Sequence, residues 1–309
     1  MDHKTGNSAC RSKQNGKPNL RINHVINISN AFALLNPTYT PVFSDILTLT
    51  LSTSTQVKHM LTLNNTRNLA GIEILGDFQD LDTLYMSLLM IIGDEGEYGD
   101  YEGARLRVLG VCYDIRHAFQ GDREFEFVRN GMDEDRMRML EMITPEKNLY
   151  YRCQVYFPEA LFVTIALNDF IRLYAKKQAK SATFPLLDKK NLWDTHIATT
   201  RLFQSLVMSC VKEVVTEPSF KRILNLMHKD YTWVDGYATQ YLDMLNIRYL
   251  NIGDKDERAK ALSTTVKRMV EKGKEYRQIE EEVRAMAREH NCSVEDISLV
   301  EDYPEYVEW

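Results

Sequence analysis

The chain has 309 residues and a formal charge of −6, with 44% hydrophobic and 27% charged side chains. A chain of that length buries roughly 75% of its unfolded surface, so it needs no disulfide or metal to hold a core. The composition excludes disordered, collagen-like and small disulfide-stapled chains, and a pI near 5.7 argues against broad nucleic-acid binding, which relies on Lys and Arg neutralising phosphates.

Residues 1–59 stand apart from the rest. They hold no Glu, 6 Lys and Arg against 2 Asp, and 20 Asn, Ser or Thr. Their +4 leaves −10 for residues 60–309. The apolar runs at 31–35 and 46–51 are short and lie near Pro37 and Pro41. They offer little to offset an ordering cost of about 1–2 kcal/mol per residue. Two readings follow: a flexible or loosely docked N-terminal extension, or a non-native stretch preceding a start at Met60. No stretch here has the basic-then-apolar pattern of a signal peptide.

Regular patterning begins at residue 60. Leu61 and Leu63 alternate with polar residues, residues 64–68 supply turn chemistry, and residues 70–75 read as a second strand. Asp77 caps a helix over 81–92, and a Gly- and acid-rich loop at 93–100 leads to another helix over 101–120. Over residues 124–128, Glu124 and Glu126 alternate with Phe125 and Phe127 as a half-buried strand, followed by a short helix at 133–142. The strongest strand signal is 149–157, with Leu149, Tyr151, Cys153, Val155 and Phe157 on one face. Pro158 opens a helix to Lys177. Its apolar run is interrupted by Asn168, Asp169 and Arg172 and falls short of the ~20 residues that span a bilayer.

Residues 181–189 read as a linker, and helices are expected over 192–215, 219–229, 237–249 and 255–290, the last broken at Gly273. The fold class is therefore α+β: a small antiparallel sheet packed with helices at 60–178, then an all-helical region at 190–290 and an acidic aromatic tail at 291–309.

The helix at 101–120 carries the most chemistry. At 100° per residue, Ala104, Val108, Val111, Cys112, Ile115 and Phe119 share the core face. Gly103, Arg107, Gly110, Asp114 and His117 fall opposite, within about 80° of arc. Two glycines in mid-helix cost about 1 kcal/mol each against Ala, and they leave a trough that a backbone or a ligand can approach. In the functional reading His117 is an acid/base and Asp114 its orienter. Arg107 then clamps an anion, supplemented by Arg105 and Arg116. In the structural reading the same residues satisfy a polar network between helices.

Other signals are weaker. The acids at 94, 95, 97, 100 and 102 miss the EF-hand template because Gly96 and Tyr98 occupy two ligand positions, so a solvated loop is expected. His196 and His228 have no second His one turn away. No GxSxG, HExxH, P-loop or Rossmann fingerprint is present. Cys10, Cys112, Cys153, Cys210 and Cys292 are scattered, without CxxC pairs or His at zinc spacing. They predict a reducing, cytoplasmic compartment with no metal and no cofactor.

Residues 276–300 faintly suggest a helix-turn-helix, but 291–309 hold six acids and no Lys or Arg, which phosphates repel. Tyr303, Tyr306 and Trp309 are of the types enriched at binding hot spots, so the tail reads as a partner contact, or else as a segment folded back on its own domain. The leading expectation is a protein-interaction or regulatory module whose partner is another protein, with no nucleic acid and no membrane. The alternative is an enzyme or ligand sensor for an anionic small molecule, built on the 101–120 helix. Oligomeric state and substrate stay open.

Overall fold

A computed structural model describes residues 20–22, 61–180, 183–228 and 232–309. The two readings of residues 1–59 fall outside the described residues, apart from the strand at 20–22, and so does Cys10.

The sheet is antiparallel throughout, in the order β2 (Thr62–Asn65), β3 (Gly71–Gly76), β5 (Lys147–Tyr156) and β4 (Glu124–Arg129). The hairpin expected after residue 60 is β2–β3, with Thr62 opposite Leu75. In β3 and β5, Ile72 lies opposite Val155 and Ile74 opposite Cys153, and all four are buried against the helices. Period-two alternation turns Glu73, Arg152, Gln154 and Tyr156 to the other face. A second, two-stranded sheet joins β1 (Leu20–Ile22) to β6 (Ile297–Leu299).

Helix α1 (Phe78–Ile92) starts where the sequence places it. Asp80 N donates to Asp77 Oδ1 at 2.9 Å, and the Asp80 carboxylate accepts from Asp77 N at 3.3 Å, a reciprocal capping box. Helix α2 (Glu102–His117) buries Ala104, Val108, Val111, Cys112 and Ile115, the face that its periodicity selects. It stops three residues short of expectation. The backbone widens into a π turn at Ala118–Asp122, where Gly121 takes a left-handed φ of 90°. A short α3 (Glu134–Met139) joins β4 to β5.

Helix α4 (Phe157–Gln178) is apolar on nearly every side and therefore central, touching β3, β5, α1 and α2. The helix expected at 192–215 is divided. Asp194 accepts from Ile197 N at 2.9 Å and caps α6 (Thr195–Val214), which separates α5 (Lys189–Leu192). Then follow α7 (Glu217–Met227) and α8 (Gln240–Leu250). The expected break at Gly273 separates α9 (Lys255–Glu271) from α10 (Lys274–His290). Residues 294–299, faintly helical in sequence, form a 3-10 turn and β6 instead.

One set of buried side chains runs from Leu61 to Ile297, so the helices after residue 190 close the same core that the sheet opens. No helix among the described residues is long and apolar enough to cross a membrane.

Candidate functional site

Helix α2 passes over the C-terminal half of β5, and α8 and the tail close one end of the gap between them. The space left is a cavity of about 1340 Å³. The two glycines of α2 take different roles along it. A Cβ on Gly103 meets Thr239 Cγ2 at 3.3 Å and Tyr237 O at 3.5 Å, so Gly103 lets a loop backbone approach. A Cβ on Gly110 meets nothing within 4 Å, and Gly110 lines the cavity.

The end nearest the tail is built around Arg107. Its Nη1 donates to Asp243 Oδ1 at 2.8 Å, and its Nη2 donates to Asp243 Oδ2 at 2.6 Å and to Thr239 O at 2.8 Å. Glu159 Oε2 lies 3.6 Å from Nη1. The Tyr303 hydroxyl donates to Asp243 Oδ1 at 2.8 Å, and Asn246 Nδ2 donates to both Glu159 Oε2 (2.8 Å) and the Tyr303 oxygen (3.1 Å). Burial pushes the Glu159 carboxyl above its usual range, with Arg107 and Asn246 opposing. Burial opposes the Arg107 charge, but Glu159 and Asp243 outweigh it and hold the guanidinium pKa above its ordinary value. This end is an anchored ion network with its hydrogen bonds directed inward.

An aromatic stack follows along the wall. Tyr156 lies between Tyr303, with ring centres 5.7 Å apart, and Trp309, at 5.0 Å and an interplanar angle of 6°. The Trp309 main-chain oxygen accepts from Asn68 N at 3.2 Å, which ties the tail to the β2–β3 hairpin.

The far end carries cations with donors to spare. Arg152 reaches Glu124 at 2.9 Å and Glu73 at 3.6 Å through its Nη atoms, while Arg116 lies over the Tyr113 ring at 5.7 Å. Among the described residues, Arg116 Nε and Arg152 Nε are buried without a hydrogen-bond partner. Two buried amides nearer the tail match them in the opposite sense. Gln240 Nε2 donates to Val294 O at 2.8 Å and Ile297 O at 2.7 Å, and Oε1 is left unpartnered; Asn246 Oδ1 is unpartnered as well. All four residues line the cavity.

Arg107, Asp114 and Arg116 line the cavity with Tyr303 and Trp309 of the tail. His117 turns away: its Nδ1 hydrogen-bonds Asp122 at 2.9 Å, and its ring packs 4.1 Å from that of Tyr113. Asp114 accepts from Arg123 Nη2 at 2.7 Å, so Asp114 and His117 have different partners. Arg105 donates to Gly93 O at 3.1 Å and Glu102 at 2.9 Å, closing the acidic loop. In that loop Glu97 also meets Lys177 at 2.7 Å. Tyr306 is 79% exposed and takes no part in the Tyr156 stack.

Sequence reasoning missed Asp243, Glu159, Asn246, Arg152 and Tyr156. Two of them left a signal, because Glu159 and Asn246 are polar residues set directly between apolar neighbours that helix periodicity buries.

Among the described residues no group of three or more His, Cys, Asp or Glu is placed to hold a metal ion. Burial pushes the Cys112 thiol up to about 12, so it behaves as a small hydrophobe.

Residues 61–309, which contain the sheet, the cavity and the tail, match the family described as Domain of unknown function (DUF6904), and the chain belongs to that family. No curated protein and no solved structure matches the chain.

Proposed function

We propose that this is a cytoplasmic ligand-binding protein that holds a small carboxylate- or phosphate-bearing anion in the cavity between α2 and β5. One observation carries the reading: Arg116, Arg152, Gln240 and Asn246, each holding a buried polar atom without a hydrogen-bond partner, all line a single cavity. A buried polar atom without a partner costs about 1–3 kcal/mol, which favours a small turn of these side chains toward a ligand bearing acceptors and a donor. Small-molecule pockets run about 300–1,000 Å³, so the space is ample. Carboxylate or phosphate oxygens suit the arginine end, since a guanidinium presents its donors as a planar fork. A donor group on the ligand suits the Gln240 and Asn246 end. The cytoplasmic assignment rests on the free thiols of Cys112, Cys153, Cys210 and Cys292, a pattern kept in reducing compartments.

An interaction role draws its support from the β4 edge, which no further strand among the described residues pairs with, rather than from the tail, because Tyr303 and Trp309 are engaged with Tyr156.

A thermal-shift panel of phosphate, pyrophosphate, citrate and nucleoside monophosphates tests the ligand reading, with Gly110→Phe as the control that sets a ring into the cavity beside α2. An anion held at a hundred times its Kd stabilises by about 2.7 kcal/mol. At least one should raise the wild-type Tm and leave the Gly110→Phe Tm unmoved. No shift in wild type, or an equal shift in both proteins, rejects the reading.

A further inference from the structure

The two edges of the four-stranded sheet are treated differently. The β2 edge is covered by α6, where Asn65 Nδ2 donates to Cys210 O and to Glu213 Oε2, each at 3.1 Å. The other edge is β4, a strand of six residues whose first four are exposed. Phe125 is 54% and Phe127 64% exposed, on a strand long enough to template a further one.

The ladder fixes which β4 backbone groups face outward. Asn130 N donates to Glu146 O at 3.0 Å, and this pair continues the register in which Arg129 lies opposite Lys147. In an antiparallel pair a residue's N–H and C=O point to the same side, and successive residues alternate. Even-numbered residues therefore bond β5. Phe125, Phe127 and Arg129 direct both backbone groups away from it. Their side chains share one face of the sheet, and those of Glu124, Glu126 and Val128 share the other.

We propose that the β4 edge pairs with the β4 edge of a second copy of this chain, antiparallel and centred on Phe127. A two-fold axis perpendicular to the sheet keeps each residue on its own face, so paired positions share parity. Centring on Phe127 sets it opposite its own counterpart, and Phe125 opposite the counterpart of Arg129. Each of these pairs exchanges both backbone hydrogen bonds, and the cationic side chain meets an aromatic face. On the other face Glu126 lies opposite Val128, and no like charges meet. Centring on Glu126 instead sets two carboxylates directly opposite, which is destabilising. Centring on Phe125 sets Glu124 opposite Glu126, centring on Arg129 sets two guanidiniums opposite, and centring on Val128 keeps two backbone-bonded pairs within β4 where Phe127 keeps three. Phe127 is thus the favoured centre, and with a two-fold axis the contact closes at a dimer.

Light scattering after size exclusion on the full chain, at about 100 μM, reads the oligomeric state well above a micromolar Kd. The wild type should be a dimer. Phe127→Lys and Phe127→Glu should each be monomeric, because residue 127 then faces its own charge, and both should stay folded, since Phe127 is exposed, with a Tm lower than wild type only by what dimerisation contributes. Mixing the two variants should restore a dimer holding one of each. A monomeric wild type, variants that remain dimeric, or a mixture that stays monomeric overturns the proposal.

Discussion

Arg107 and Asp243 stand 136 positions apart in the chain and share two hydrogen bonds of 2.8 and 2.6 Å. The pair fastens α2 to α8 and draws Glu159, Asn246 and Tyr303 into one network. About a fifth of each of the two side chains still sees solvent. Removing one partner from a buried pair costs about 3–5 kcal/mol, and this exposure places the loss at the lower end. Arg107→Ala and Asp243→Asn should each lower the unfolding free energy by about 3 kcal/mol in urea melts. The double variant should lose much less than the sum, since each single change already strands the other group.

The tail belongs to the folded body. Tyr303→Phe removes a hydroxyl bonded to the Asp243 carboxylate, a loss of about 1.5–3 kcal/mol for a hydrogen bond to a charged group. Deleting residues 301–309 also removes the Trp309–Tyr156 stack and should lower the Tm by several degrees in calorimetry. A deletion that melts like wild type contradicts this placement.

Gly110 and Gly103 should respond differently to alanine. At Gly110 the new methyl enters open space, so the full helix-propensity gain of about 1 kcal/mol appears as stability. At Gly103 the methyl presses on Thr239 Cγ2 at 3.3 Å, and much or all of that gain is lost. Urea titrations of the two variants read the difference directly.

Asp169 sets a pH dependence. Burial pushes its carboxyl from 3.8 up to about 6, against the opposing Val234 N–H and Arg172. The folded protein therefore holds this proton more tightly than the unfolded chain. The stabilisation is fully present below pH ~4, declines as pH rises towards about 6, and is gone above it. Its size is on the order of 3 kcal/mol. Asp169→Asn keeps an oxygen for the Val234 N–H bond of 3.0 Å and cannot ionise. The wild-type unfolding free energy should fall relative to this variant across that window and run parallel to it above. Parallel curves throughout the window rule the assignment out.

Much of the fold was legible because it is local. The Asp77 cap, the β2–β3 hairpin, the break at Gly273 and the buried face of α2 each depend on residues within a few turns of one another. The pairing of β6 with β1 was not legible, since Ile297 and Ile22 meet across nearly the whole chain and a three-residue strand leaves no periodicity to read. The cavity was half visible. The spacing of Arg107, Gly110 and Asp114 put them on one helix face, and all three line the cavity. The same spacing suggested that Asp114 serves His117, whereas the π turn brings Asp122 to His117 and Arg123 to Asp114. A helical wheel cannot show partners that arrive from beyond the helix end. Nor could it show Asp243 and Tyr303, which answer Arg107 from distant segments.

The most direct measurement of the central claim is the fluorescence of Trp309, one of three tryptophans in the chain and the one that lines the cavity. With Trp193→Phe and Trp233→Phe in place, its emission reports the cavity alone. Titration with phosphate, pyrophosphate, citrate and nucleoside monophosphates should give, for at least one of them, a saturable change that Gly110→Phe abolishes. A Trp309 signal that none of these anions moves, or that moves equally in Gly110→Phe, contradicts a ligand site between α2 and β5.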